Sequence, residues 1–217
     1  MGDDEYVEPD EMYFGDVNPI TIALLGDSIL DNAAYTAGEP AVVDHLQSLL
    51  GTSGRAFLCA LDGAVTREVA SQLEGLPAGT THLMISTGGN DALQHIDLLT
   101  NRARTVADAL EQFIEPLLSF KQDYASLLEK VLRRGVPAWC CTVYNGMLDE
   151  PYTRVAPMAI ALFNDVIYRL AGEAGFPVIE LRHICTEPED YANPIEPSGV
   201  GGGRIARAIL KAVLERV

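Results

Sequence analysis

The chain has 217 residues, 48% of them hydrophobic, and a formal net charge of −16 at pH 7. This length is enough for one domain with its own hydrophobic core, and no apolar run approaches the ~20 residues that a membrane-spanning helix needs. The negative charge disfavours nucleic acid and anionic membrane as partners, because phosphate binding requires a positive surface. We therefore expect a soluble globular protein.

The first 17 residues are more acidic than the rest of the chain. They contain seven Asp and Glu residues and no Lys or Arg, which predicts a solvated, poorly ordered arm at 1–17 followed by a single domain at 18–217. An export signal would begin with basic residues and an apolar core, so we expect a cytoplasmic location. The four cysteines have no Cys-x-x-Cys spacing, and we expect reduced thiols without a metal.

Strand-like and helix-like patterns alternate along the rest of the chain. In chain order, short apolar runs predict buried strands and apolar residues at helical spacing predict helices: strand 21–25, helix 40–50, strand 56–61, helix 66–73, strand 82–86, helix 105–134, strand 137–144, helix 153–174, strand 177–181 and helix 203–217. Pro116 marks a kink or a break in the long third helix. This alternation predicts an α/β fold, a flavodoxin-like three-layer α/β/α sandwich with a five-stranded parallel sheet.

Functional groups in such a sheet gather in the loops at the carboxyl ends of the strands. A serine, Ser28, follows the first predicted strand directly and is the best candidate nucleophile. Four loops belong to this edge: Gly26-Asp27-Ser28 after the first strand, Asp62-Gly63-Ala64 after the second, Gly88-Gly89-Asn90-Asp91 after the third, and residues 190–198 before the last helix. We expect these loops to converge on one rim.

These blocks, in this order, resemble those of the SGNH hydrolases, also called GDSL esterases and lipases, over residues 20–217. The resemblance implies that Ser28 is the nucleophile. It also implies an oxyanion hole formed by the backbone N–H groups of Ser28 and Gly63 and by the side-chain amide of Asn90. Acyl transfer builds negative charge on a carbonyl oxygen, and three neutral, preorganised donors stabilise that charge without a metal.

The fourth block departs from the family pattern, which is Asp-x-x-His before the last helix, with the histidine as base and the aspartate as its orienter. Here Asn193-Pro194-Ile195-Glu196 occupies that position. In one interpretation Glu196 is the general base and the Asn193 amide donates a hydrogen bond that holds its carboxylate. An ordinary glutamate, with a pKa of about 4.3, is a weak base for a serine hydroxyl, so a slow hydrolase would result.

Two other interpretations remain open. A histidine from elsewhere enters the site, with His183 after the fifth strand as the better candidate and His95 near the third block as the other; or the protein is a pseudo-hydrolase or divergent acyl-transfer protein that keeps the pocket and binds a ligand there. The function we expect is a serine-dependent esterase that cleaves a small acyl or acetyl ester, with a small-molecule ester as its partner and with neither a metal nor an organic cofactor.

Overall fold

Five parallel strands form one sheet in the computed structural model, which describes residues 19–215. The strands are β1 (Ile20–Gly26), β2 (Gly54–Leu58), β3 (His82–Ser86), β4 (Ala138–Cys141) and β5 (Val178–Ile179), in the spatial order β2-β1-β3-β4-β5. All four pairings are parallel. The predicted five-stranded parallel sheet is confirmed, while the predicted acidic arm at 1–17 lies outside the described residues.

Seven helices of the described part of the chain cover the sheet: α1 (Val42–Leu50), α2 (Thr66–Gln72), α3 (Gly89–Leu93), α4 (Val106–Glu111), α5 (Ile114–Leu132), α6 (Ala156–Ala174) and α7 (Gly199–Leu214). Helices α1 and α7 pack together on one face, and α5 packs against both α2 and α6 on the other, which gives the predicted three layers. None of these helices combines the length and the apolar character that a membrane crossing requires.

The sheet is apolar because helices shield both of its faces. Strand β1 pairs with a neighbour on each side, and four consecutive residues in it, Ile22 to Leu25, have no exposed surface. A strand buried on both faces has a continuous apolar sequence rather than an alternating one. This burial explains why β1, β3 and β4 were predictable. The bounds differ most in three strands: β2 is Gly54–Leu58 and partly exposed rather than 56–61, β4 ends at Cys141 rather than at 144, and β5 has only two residues rather than 177–181.

Helix α7 begins four residues earlier than the sequence indicates, because its first turn is made of glycines that the pattern assigns to a preceding turn. Ser198 caps the helix, with Oγ accepting a hydrogen bond from the N–H of Gly201 at 3.2 Å. A Cβ at Gly201 would collide with the carbonyl oxygen of Asp190, and one at Gly199 would collide with Glu39. The glycines therefore allow α7 to approach its neighbours closely, and packing outweighs their low helix propensity.

The predicted helix at 105–134 is two helices, α4 and α5, so Pro116 accompanies a break rather than a kink. Pro116 is the third residue of α5, where a missing N–H costs nothing because the first turn has no intrahelical acceptor. The short helix α3 is absent from the sequence prediction, which treats Gly89 to Asp91 as a loop.

Candidate active site

Gly26 fixes the end of β1 against the end of β3. Its φ of 138° lies in the region that favours glycine, and a Cβ at this position would collide with the carbonyl oxygen of Ser86. The buried side chain of Gln72 holds the Gly26 peptide from both sides, accepting from its N–H and donating to its carbonyl at 2.8 Å each. Ser28 therefore emerges between β1 and β3, where the strand order changes direction and α/β sheets form their binding crevices.

Asn90 links the third block to the second. It lies in the first turn of α3, and its Nδ2 donates to the carbonyl oxygen of Ala64 at 3.0 Å. Asp91 supports the same junction, because its Oδ2 accepts from the N–H of Thr66 at 3.0 Å and from the Thr66 hydroxyl at 2.9 Å. An amide carries two N–H donors, so Asn90 can hold the loop in place and still donate to a ligand.

The two backbone groups expected in the oxyanion hole have no internal acceptor. Within residues 19–215, neither the N–H of Ser28 nor that of Gly63 donates a hydrogen bond to another group. Gly63 has a φ of 79° on the exposed loop after β2 and is not among the residues that line the cleft around Ser28. Its neighbour Ala64 is bonded to Asn90, which brings the second block to the edge of the cleft.

Glu196 lies beside Ser28. The Ser28 hydroxyl interacts with the Glu196 carboxylate and favours its charged form. Glu196 is 7% exposed, and its Oε2 is buried and has no hydrogen-bond partner among the described residues. Ser28 and Glu196 both line one cleft. The structure therefore brings a carboxylate to the side of the candidate nucleophile.

Asn193 has a different contact from the one expected. Its Oδ1 accepts from the N–H groups of Ile195 and Glu196, both at 3.0 Å, so it shapes the backbone of the turn and does not donate to the Glu196 carboxylate. The side-chain oxygen of Asn commonly makes such local turns. Asn193 thus positions Glu196 through the main chain.

Asn32 connects the serine loop to the Glu196 loop. It is fully buried; Nδ2 donates to the carbonyl oxygen of Pro197 at 3.1 Å, and Oδ1 accepts from the N–H of Val42 at 2.9 Å. Asn32 and Pro197 are 165 positions apart in the chain, and a single sequence carries no pairing signal across such a separation. Asn32 fixes the separation between Ser28 and Glu196.

A cleft of about 480 Å³, counting the part open to solvent, lies over Ser28, Asn90 and Glu196. Its other wall is mainly apolar and includes Ile29, Leu93, Val143, Leu148, Ile160 and Ile195. Buried Asn164 clamps this wall, accepting from the N–H of Val143 and donating to its carbonyl at 2.8 Å each. Polar reactive groups thus face a hydrocarbon surface across one small space, which is typical of ligand sites.

Burial and one nearby acid raise the pKa of Glu196. Burial raises the pKa of its carboxyl above the usual 4.5, the Ser28 hydroxyl opposes this, and the nearby charge of Asp62 adds to it. Asp62 is itself held at the rim, since its Oδ2 accepts from the Tyr35 hydroxyl at 2.7 Å and its N–H donates to Asp31 at 3.0 Å. A glutamate with a raised pKa is a stronger base than an exposed one.

Asp27 is a second buried carboxyl beside the nucleophile. Burial raises its pKa from 3.8 to about 8; the N–H of Ile29 opposes the shift, and the charges of Glu196 and Asp91 add to it. Its Oδ1 accepts from that N–H at 3.1 Å, while Oδ2 is buried without a partner among the described residues. A pKa of about 8 favours the protonated form of Asp27 at neutral pH.

Replacing Asp27 with asparagine should stabilise the protein, and the gain should grow with pH. The folded-state pKa of about 8 lies above the unfolded value of 3.8. The protonated side chain of Asp27 contributes fully to the stability of the parent below pH 3.8. As pH rises from 3.8 towards 8, the unfolded state has lost this proton while the folded state still holds it. The free energy of unfolding therefore falls by ~1.4 kcal/mol per pH unit. Asparagine mimics the neutral acid and avoids this loss, so we expect Asp27→Asn to be about 3–5 kcal/mol more stable than the parent at pH 8.

Urea denaturation at several values between pH 5 and pH 8 measures this difference. Asp97→Asn is the matched control, because Asp97 is exposed and its substitution should give a curve parallel to that of the parent. A stability difference for Asp27→Asn that stayed constant from pH 5 to pH 8 would contradict a protonated Asp27.

All four histidines lie outside the cleft. His183 is exposed in the 3₁₀ helix Leu181–His183 after β5, and His95 lines a neighbouring apolar cavity. The Nε2 of His45 lies 2.9 Å from the carbonyl oxygen of Gly199, and the Nδ1 of His82, at the start of β3, lies 2.7 Å from the Thr81 hydroxyl. The structure brings together Ser28, Asn90 and Glu196, with Gly63 at their edge, and leaves His183 and His95 apart from them.

A comparison with protein families gives one match that covers most of the chain. Residues 24–200 match the family described as GDSL-like Lipase/Acylhydrolase. This range contains all four blocks, including the position of Glu196. No curated protein sequence matches the chain.

Several solved structures share the fold. A phospholipase A1 from Streptomyces albidoflavus NA297 is 16% identical with a TM-score of 0.68, covering 89% of this chain and 99% of its own. The acetyl xylan esterase AlAXEase is 16% identical with a TM-score of 0.66, covering 89% and 100%. The psychrotrophic esterase EstA from Pseudoalteromonas sp. is also 16% identical with a TM-score of 0.66, covering 90% and 97%. At these identities the likeness establishes the α/β fold alone.

Proposed function

Because the chain belongs to the GDSL-like lipase/acylhydrolase family, we propose that it is a serine esterase in which Glu196 replaces the usual histidine base. Ser28 is the nucleophile, and the N–H groups of Ser28 and Gly63 together with the amide of Asn90 form the oxyanion hole. The substrate is a small-molecule ester. Family membership supports acyl hydrolysis. The roles of Ser28, Asn90 and Glu196 rest on the geometry of the cleft, and the role of Gly63 rests on the family pattern.

The position of Ser28 and Glu196 in one cleft carries this proposal. A nucleophilic serine needs an adjacent base to accept its proton, and Glu196 is a carboxylate in the same cleft whose pKa responds to the Ser28 hydroxyl. Nearby Asp27 holds its own proton, so it does not compete for this role. Asn32 and Asn193 hold the Glu196 loop through the carbonyl of Pro197 and two backbone N–H groups.

In the acylation step, Oγ of Ser28 bonds to the carbonyl carbon of the ester while its proton passes to the Glu196 carboxylate. The carbonyl oxygen becomes an oxyanion, which the three neutral donors stabilise. Collapse of this intermediate breaks the bond to the leaving oxygen, and the proton on Glu196 passes to that oxygen. An alcohol departs, and the acyl group remains on Ser28.

Deacylation repeats the same chemistry with water. Glu196 takes a proton from the water as its oxygen bonds to the acyl carbon, and the same donors stabilise the second oxyanion. When the bond to Oγ breaks, Ser28 recovers a proton from Glu196 and the carboxylic acid leaves. Each cycle returns both residues to their starting states and requires only an ester and water.

A fluorophosphonate probe tests this proposal, because it reacts covalently with an activated serine. We expect turnover of p-nitrophenyl acetate and butyrate, blocked by the probe, with the adduct on Ser28 located by mass spectrometry of the digested protein. An absence of both turnover and adduct would contradict the proposal and favour the pseudo-hydrolase interpretation. An adduct on a different serine would reject Ser28 as the nucleophile.

A further inference from the structure

A second cavity lies directly beside the cleft. It encloses about 420 Å³, counting the part open to solvent, between α3, the 3₁₀ helix Ile96–Thr100 and the start of α6. Three side chains, those of Leu93, Leu148 and Ile160, line both spaces. The cleft and the second cavity are therefore separated by a wall one side chain thick.

The chemistry of the second cavity suits hydrocarbon. Every residue that lines it is apolar except His95. Its lining includes the aromatic side chains of Phe113 and Phe163, and it presents almost no group that could hydrogen-bond to a polar ligand. A site of this composition gains affinity from buried apolar surface.

We propose that this second cavity binds the distal part of the substrate's acyl chain, which makes esters of linear, medium-length fatty acids better substrates than acetyl esters. This inference rests on the proposed function, because the carbonyl carbon of the chain must lie at Ser28. From there the chain runs along Leu93 and Ile160 and passes between them into the second cavity. Both are aliphatic side chains without a fixing hydrogen bond, and rotation about their side-chain bonds opens the wall.

The chain-length profile is the first readout. Each methylene transferred from water into the second cavity should raise kcat/KM by about fourfold. We therefore expect kcat/KM to rise from p-nitrophenyl acetate through the butyrate to the octanoate. A profile that peaks at acetate and falls steadily to octanoate would overturn the inference while leaving the proposed esterase intact.

Ala159→Leu tests the location of the chain. Ala159 lines the second cavity but not the cleft, so a larger side chain there removes space for the far end of the acyl chain. The ratio of kcat/KM for octanoate to that for acetate should fall at least tenfold. Ala161→Leu is the matched control, because Ala161 lies two residues further along α6 with its side chain exposed, and this variant should keep the parent ratio.

Binding of a neutral amide separates this inference from the proposed function. Octanamide binding to the Ser28→Ala protein, measured by calorimetry, does not depend on hydrolysis and should weaken at least tenfold when Ala159→Leu is added. If no ester is hydrolysed but this weakening is found, the esterase proposal fails and the acyl site stands. If esters are hydrolysed but Ala159→Leu changes neither the ratio nor the binding, while its thermal unfolding matches that of Ala161→Leu, the acyl site fails.

Discussion

Ser28→Ala is expected to reduce kcat/KM for p-nitrophenyl butyrate by about 10³–10⁶-fold, the range seen when a serine nucleophile is removed. Without Oγ no acyl-enzyme forms, and only direct attack by water remains. The oxyanion donors can still stabilise that slower reaction, so a small rate above that of buffer is compatible with the proposal. Initial rates of p-nitrophenolate release measure the effect.

The control for Ser28→Ala is a serine outside the cleft. Ser53 is exposed in the turn before β2, at the opposite edge of the sheet, and Ser53→Ala should keep the parent rate. The Oγ of Ser28 has no hydrogen bond that the fold requires among the described residues, so thermal unfolding of Ser28→Ala should resemble that of the parent. A Ser28→Ala protein that unfolds normally and hydrolyses at the parent rate would show that the nucleophile lies elsewhere.

The sequence was sufficient to predict the sheet and the proximity of Ser28 to Asn90, because both depend on where the strands end. Buried parallel strands have continuous apolar sequences, and the residue that follows each strand lies at one known edge. Ser28 and Asn90 follow β1 and β3, which are adjacent in register, with Gly26 opposite Ser86. Their proximity follows from strand order alone.

The surroundings of Glu196 could not be predicted, because they depend on contacts between distant segments. The hydrogen bond from Asn32 to Pro197 and the burial that raises the pKa of Glu196 involve segments far apart in the chain, like the packing of α7 against α1. The early start of α7 has the same origin, since Gly201 makes room for the Asp190 carbonyl and Gly199 makes room for the Glu39 side chain. The residue pattern of one sequence does not reveal contacts between segments that are distant in the chain.

Glu196→Gln is expected to reduce kcat/KM by about 10²–10⁴-fold, the usual contribution of a general base. Glutamine has the size of glutamate and keeps one oxygen, but a neutral amide cannot accept the serine proton. The substitution also removes a charge that raises the pKa of Asp27, so it should not destabilise the fold. Fluorophosphonate labelling should slow in parallel with ester turnover, because both reactions need the activated serine.

The pH dependence of kcat/KM identifies the base more directly than the loss of rate. A carboxylate base works only when ionised, so parent activity should fall as pH drops through the pKa of Glu196, which burial places above 4.5. A histidine base would lose activity around its own pKa of about 6.5. The residual activity of Glu196→Gln should lack the acidic transition of the parent, since the group that titrates has been removed.

His183→Ala tests the alternative base, because His183 is the histidine that the sequence predicts to lie nearest to the rim. His183 is exposed and does not line the cleft, so this variant should keep both the parent rate and the parent pH profile. Loss of activity in His183→Ala together with full activity in Glu196→Gln would mean that the 3₁₀ helix after β5 moves to supply a conventional base. Full activity in His183→Ala together with loss of activity in Glu196→Gln would identify a carboxylate as the group that takes the proton from Ser28.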